Sequence, residues 1–395
     1  MEQIIKKRIE KINKGIAPDG YKKTSLGILP NDWETDITLN EIACLSKEKI
    51  NPREANSNLI CYELEHINSF SGRVNGSFGG SKINGIKSCF RKGDILFGKL
   101  RPYLGKYYFA KENGVCSTEI WVIRSKTIDP AFLYQIVSSK KFIDDATASS
   151  FGTKMPRADW RKISCKKYPF PKDKNEQEKI AQILMKWDEA IELQEKYIEK
   201  LEQHRCTLMK KLLKQIVAVE QITLDHIVKK EKGKAIIVND GTIPIVDMDY
   251  LKSGVCQNYT NDSSIMATPD DLLLLWDGAN AGLVLTGKCG AVGSTFVLLH
   301  IVNEKVLPLY LYYCLITQNE KILKRREGSG IPHMPKDYFK TQKISIPSKK
   351  TQLEFCNVLS KEELFVSLQK QYLKRLKQQR KILQQYLLTG AVRVK

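Results

Sequence analysis

No two of the ten cysteines in this 395-residue chain stand in a C-x-x-C pair. Neither a disulfide framework nor a zinc site is therefore indicated. The five histidines, His66, His204, His226, His300 and His333, lie far apart, and none has ligand spacing. Long hydrophobic runs are missing too. Runs such as Leu272 to Trp276 are of strand length, and none approaches the roughly eighteen apolar residues that cross a bilayer. The N-terminal stretch from Met1 to Ile16 is charged and amphipathic, unlike a secretory signal. These absences point to a reducing, cytoplasmic setting.

Catalytic frames are equally scarce. Gly282-x-x-x-x-Gly287-Lys288 satisfies most of a phosphate-binding loop, but Cys289 stands where Ser or Thr would ligate Mg²⁺. The residues after it, Ala291 to Leu299, read as a strand rather than the helix whose N-terminus must face phosphates. No glycine-rich cofactor fingerprint follows a strand. The Asn-Pro-Pro-aromatic tetrapeptide of amino-methyltransferases is absent, with Asn51-Pro52-Arg53 the nearest fragment. Pro269-Asp270 begins like a nuclease site, yet no Glu-x-Lys follows. Hydrolysis has no candidate residues. The expectation is a binding component, with no catalytic residue, metal or cofactor on this chain.

Acidic residues are outnumbered, giving a net charge of +20 that suits a polyanionic partner. The excess is uneven. Residues 20–160 carry 20 Lys and Arg against 15 Asp and Glu, and residues 346–395 carry 11 against 3. Residues 222–345 carry only 14 against 13. The first globular stretch is basic and the second is nearly neutral.

What the chain does have is a repeat. With Gln177 placed over Gln352, twelve of the 37 positions from 177 to 213 are identical at a fixed offset of 175. They include Leu193/Leu368, Tyr197/Tyr372, Leu201/Leu376 and Arg205/Arg380. The repeat reads as a long helix with a coiled-coil seam. Ile180, Leu184, Trp187, Ile191, Gln194, Ile198, Leu201, Arg205, Leu208 and Leu212 alternate steps of four and three. The second copy runs Phe355, Leu359, Glu362, Val366, Gln369, Leu373, Leu376, Arg380, Leu383 and Leu387. That period lets two helices bury one stripe on each other, and polar seam members fix register. Each helix spans on the order of 55 Å.

The globular stretches are duplicated more faintly. An offset of 177 places Asp94 over Asp271 and Ser117-Thr118 over Ser294-Thr295. Expected strands lie at Asp94–Phe97, Ile120–Ile123, Asp271–Leu274 and Thr295–Leu299, with helices at Ala131–Ser138 and Leu309–Thr317. Met155-Pro156 and Met334-Pro335 precede the long helices, as do Pro171 and Pro347. The expected division is 1–19 N-terminal helical segment, 20–170 first globular domain, 171–216 first long helix, 217–347 second globular domain and 348–395 second long helix with tail. Duplication of this kind gives a pseudo-two-fold molecule of α+β class, and duplex DNA is a common two-fold partner.

Specific motifs sharpen this. Leu26-Gly27-x-x-Pro30-x-x-Trp33, Gly93-Asp94-Ile95-Leu96, Ser117-Thr118-Glu119, the Met-Pro pairs and the helix openings at Gln177 and Gln352 occur together in this one chain. In these the chain resembles, over essentially its full length, the specificity (S, HsdS) subunits of type I restriction–modification systems. The second half departs from the pattern, lacking the Gly-x-x-Pro-x-x-Trp opening and carrying Thr295-Phe296 in place of Thr118-Glu119. The resemblance implies two target recognition domains, each reading half of a bipartite DNA site, and two helices forming an antiparallel coiled coil. It also implies docking of two modification (methyltransferase) subunits bearing S-adenosylmethionine, and of restriction (motor–nuclease) subunits using ATP and Mg²⁺ where these exist.

Candidate DNA contacts in the first domain are Lys82, Lys87, Arg91, Lys92, Lys99, Arg101, Lys106, Tyr107 and Tyr108, with Lys99-Leu100-Arg101-Pro102-Tyr103 the sharpest loop. Arg there could give bidentate hydrogen bonds to guanine, although a lysine-blunted strand edge looks the same in sequence. In the second domain the candidates are Asn280, Lys288, Arg325 and Arg326, and His333 could touch a phosphate. The helices would carry coiled-coil and docking contacts through Ile180, Leu184, Trp187, Ile191, Gln194, Leu201, Arg205, Leu359, Val366, Gln369, Leu376 and Arg380. An alternative stays open, in which a coiled coil joins two domains that bind protein or RNA.

Overall fold

Short apolar runs such as Ile95–Gly98 and Leu272–Leu275 form the central strands of the larger sheets. A computed structural model describes residues 2–51, 59–79, 85–276, 281–318, 334–335 and 337–394. Two units emerge, residues 1–195 with 372–395 and residues 196–371.

In the first unit the strand Ile95–Gly98 is buried at all four positions. It lies antiparallel between Tyr107–Phe109 and Ile120–Ser125, with Ala43–Leu45 on the far edge. Alternation along it serves two cores. Ile95 and Phe97 face a cluster with Phe132 and Phe142, while Leu96 faces Tyr62, Phe90 and Tyr108. A second sheet pairs Gly114–Ser117 parallel with Ile60–Tyr62 and antiparallel with Lys87–Phe90. Helix Pro130–Val137 starts where Asp129 Oδ1 accepts from Phe132 N (2.8 Å) and proline fills the first turn.

The second unit has the same strand order. Phe296–Ile301 lies between Leu272–Leu275 and Val228–Lys232, with Val284–Thr286 beyond the former. Gly290–Val292 pairs parallel with Ile243–Val246 and antiparallel with Met266–Ala267. Register corrects one sequence alignment. Ile123 faces Ile95 and Leu299 faces Leu272, so the offset is 177 at Asp94/Asp271 but 176 along the next strand. Glu119 therefore corresponds to Thr295, one residue from the place expected. Matching backbone bonds agree, Lys99 N to Glu119 O and Trp276 N to Thr295 O, both 3.0 Å. The shift arises one strand earlier, where residues 110–113 between Tyr107–Phe109 and Gly114–Ser117 answer to only 287–289 in the second copy.

The seam positions occupy helices Lys174–Gln215 and Lys349–Leu388. Ile180, Leu184, Ile191 and Ile198 are buried on the first, and Phe355, Leu359, Val366, Leu376 and Leu387 on the second. Trp187, Gln194, Leu201, Arg205, Gln369 and Arg380 are half-buried. In the first unit Asp188 pairs with Arg380 and Glu195 with Lys377 (2.8 and 2.6 Å). In the second, Glu202 pairs with Lys370 and Arg205 with Glu363 (2.6 and 3.4 Å). Numbers rise on one helix as they fall on the other, so the pairing within each unit is antiparallel. The offset of 175 converts Asp188–Arg380 into Glu363–Arg205, and Glu195–Lys377 into Lys370–Glu202. The helix openings depart from a pure helix–helix seam. Ile180 and Leu184 join the core around Phe132, and Phe355 and Leu359 join that around Tyr310, because sheet and helix share one apolar stripe there.

The repeated glutamines are joints. Gln177 Oε1 accepts from Asp129 N and its Nε2 donates to Pro171 O (both 2.8 Å). Gln352 does the same with Leu307 N and Pro347 O (2.9 and 3.0 Å). Both side chains are buried, and these bonds offset their desolvation. The Leu26–Trp33 motif is also a joint. Tyr21 Oη donates to Gly390 O (2.7 Å), and Arg393 bonds both Glu176 and Asp32 beside the Trp33 ring.

Candidate nucleic-acid interface

The loop after Ile95–Gly98 is pinned on both sides. Gly98 is closely packed, since an added Cβ would lie 2.8 Å from Leu64 Cδ2 and 3.3 Å from Lys106 Cβ and would force the Leu64 side chain to shift. Beyond it Lys99 O accepts from Ala158 N (2.9 Å) and Arg101 N donates to Pro156 O (2.7 Å). Arg101 adopts φ 50° and ψ 61°, and the short 3₁₀ turn Pro102–Leu104 follows. Lys106 closes the loop, its Nζ donating to Leu64 O (2.6 Å). Arg101 and Tyr103 are left exposed on this fixed base, and Lys99 is half-buried. The shared Met-Pro pair acquires a reason, because Pro156 O is the acceptor that holds Arg101.

Other predicted contacts scatter. Arg91 and Lys92 are exposed, with Arg91 paired to Glu48 (2.9 Å). Lys87 points inward and its ammonium is held by Glu63. Tyr107 and Tyr108 are core residues, Tyr107 packing its ring 5.9 Å from that of Tyr134. Burial pushes the Tyr107 hydroxyl up to about 12. Tyr107 and Tyr108 enter the cores on opposite faces of a sheet covered on both sides, which a count of basic and aromatic residues does not see. In the second unit Lys288 Nζ donates to Tyr250 O (3.2 Å) and sits over the Tyr250 ring. The strands flanking Gly287-Lys288 leave no phosphate-cradling helix. Lys82, Asn280, Arg325, Arg326 and His333 lie outside the described residues.

Charge placement differs between the copies at one equivalent point. Arg124 bonds Asp94 twice (2.9 and 2.8 Å), while His300 takes its place with Asp271 (2.7 Å). Both aspartates also cap the preceding turn, accepting from Arg91 N and Thr268 N. The Gly93-Asp94 motif is thus a structural clasp rather than a reader.

Sequence reasoning passed over one surface. Leu193 and Leu368 are 66% and 50% exposed, and Tyr197 and Tyr372 are 44% and 52% exposed. All four were visible as identities that fall off the seam. Leu364 and Phe365 extend the exposed apolar stripe on the second helix.

The sequence profile of the family described as the type I restriction modification DNA specificity domain matches residues 30–203 and again residues 217–378. A specificity subunit of the type I restriction enzyme MjaVIII from Methanocaldococcus jannaschii is 33% identical over 148 residues, covering 36% of this chain and 35% of that one. The EcoDI specificity subunit of Escherichia coli is 28% identical over 153 residues, covering 38% and 34%. The chain thus spans about a third of the length of the curated relatives it matches. Among solved structures, a chain from work on assembly and conformational transition of the type I R-M system superposes with a TM-score of 0.63 at 18% identity, covering 92% of this chain and 99% of its own. The S subunit from M. genitalium gives 0.57 at 18%, covering 90% and 96%. The duplicated domain, the mirrored helix pairing and the double profile match agree: the chain belongs to the type I restriction–modification DNA specificity family.

Proposed function

We propose that this chain is the DNA-sequence specificity subunit of a type I restriction–modification complex. Each α+β domain reads one half of a bipartite duplex target, and the chain itself performs no chemistry. The observation that carries this is duplication with divergence. Helix contacts repeat pair for pair at a fixed offset, while the sequences that follow the equivalent strands Ile95–Gly98 and Leu272–Leu275 differ. A common scaffold with two unlike loop sets suits two unlike half-sites. Phosphate contacts from Lys92, Lys99 and Arg101 position the first domain, and Arg101 is the base-edge candidate. The near-neutral second domain relies on polar contacts and on partners that clamp the duplex.

The exposed repeat mates Leu193/Leu368 and Tyr197/Tyr372 are the docking positions for modification subunits, one set per copy. S-adenosylmethionine belongs to those subunits, and ATP with Mg²⁺ to restriction subunits where they join, all in the cytoplasm. Co-expression with a modification subunit from the same genome should give a complex that methylates a split DNA motif, read by sequencing of methylated bases. Arg101→Ala in that complex should relax one half-site and leave the other unchanged. Equal weakening on every sequence would reduce Arg101 to a phosphate contact. A complex that binds RNA or protein but methylates no split site would overturn the reading in favour of a coiled-coil adaptor.

A further inference from the structure

Among the described residues only two other than glycine have positive φ, Phe70 at 55° and Arg101 at 50°. Both belong to one cluster of loops in the first unit. Phe70 N donates to Gly105 O (2.8 Å), and Ser69 bridges Lys106. Arg101 N donates to Pro156 O, while Leu100 and Phe151 both bridge Arg157. Left-handed backbone is strained for a residue with a side chain, so a turn needing only that shape takes glycine. Gly105 and Gly152 do so within the same cluster. A phenylalanine held in that shape at 70 therefore points to a use for its ring, since strain of this kind gathers where function requires it.

That ring has no core to enter. Phe70 is 61% exposed, and Phe151 and Tyr103 in the same cluster of loops are 60% and 48% exposed. One side of the Phe70 ring rests on Gly105, where any Cβ would collide with it. The ring is thus backed by main chain and cannot retreat into its loop. Lys99, Arg101 and Lys154 stand in the same loops, and Lys99 and Arg101 make no ion pair among the described residues. Backed apolar rings flanked by cations are suited to entering a stacked duplex, where they part neighbouring bases.

We infer that Phe70, seconded by Tyr103, is a wedge that unstacks one base step within the half-site read by the first domain. Arg101 holds the strand beside the opening. The first domain then reads the ease of unstacking at that step as well as base edges. This rests on the DNA-recognition reading above, and the experiment separates the two.

The assembled methyltransferase complex is mixed with duplexes of its methylated motif carrying 2-aminopurine at successive purine positions, the methylated base excepted. Binding should raise fluorescence several-fold at one step of the first-domain half-site. Phe70→Ala should abolish that rise and weaken binding about tenfold, the scale of one lost base–aromatic stack. Phe70→Trp should keep it. Phe70→Gly should raise the thermal midpoint of the free chain while losing the signal, since glycine relieves the strain. Sequence-specific binding with flat fluorescence throughout, or a rise unchanged in both Phe70→Ala and Tyr103→Ala, would overturn the wedge alone. So would a folded Phe70→Ala chain that no longer joins the modification subunits, because the rings would then be a protein contact. Loss of all sequence preference in the unaltered complex would instead sink the DNA reading itself.

Discussion

Arg380 and Arg205 stand at equivalent places in the repeat, yet their surroundings differ. The Arg380 side chain is 11% exposed, bonding Asp188 through two nitrogens and Gln135 Oε1 at 2.9 Å. Arg205 is 27% exposed, and its partner Glu363 is 48% exposed at 3.4 Å. Burial pushes the Asp188 carboxyl above the usual range, with Arg380 opposing that rise. Removing Arg380 would leave the half-buried Asp188 carboxylate without its counter-charge. Arg380→Ala should cost about 1–3 kcal/mol in the first unit, the scale for stripping a charged hydrogen-bond partner from a partly buried group. Arg205→Ala should cost under about 1 kcal/mol, as for a solvent-screened pair. Urea unfolding of the two variants measures the difference, and equal losses would contradict it.

At the scale of elements, one carboxylate ties a loop of the first domain to a long helix. Glu195 on helix Lys174–Gln215 pairs with Lys377 on the opposing helix and with Arg73 from the first domain. Burial pushes the Glu195 carboxyl up, but hydrogen bonds and charge from Lys377 and Arg73 outweigh it and hold it below the usual range. A depressed acid contributes stability above its unfolded value of about 4.3, and that contribution is lost as pH falls through the lower folded value. Glu195→Gln should therefore lower the thermal midpoint at pH 7, and the gap to the unaltered chain should close below about pH 4. A gap that persists or widens in acid would assign the effect to packing.

For the whole molecule, the exposed repeat mates make a stoichiometric prediction. Leu193→Glu with Tyr197→Glu should remove one modification subunit from the complex, and Leu368→Glu with Tyr372→Glu the other. Each double variant should read as a single-partner assembly by native mass spectrometry, with the free chain still folded because these side chains face solvent. Loss of both partners from either variant would show the positions are not two independent docks.

Helix existence, seam and duplication were legible in the residues because a 3.5-residue period and a fixed offset leave marks that need no folded context. Strands such as Ile120–Ser125 and Phe296–Ile301 were legible from short apolar runs for the same reason. Which side chains reach a partner was not. Lys87 and Tyr107 belong to a basic, aromatic stretch, but pleat and register turned them inward, whereas Arg101 and Phe70 were set outward by backbone strain and loop-to-loop hydrogen bonds. Composition and period are properties of the chain read alone. Facing, burial and strain depend on which distant segment lies opposite, and only the tertiary structure supplies that neighbour.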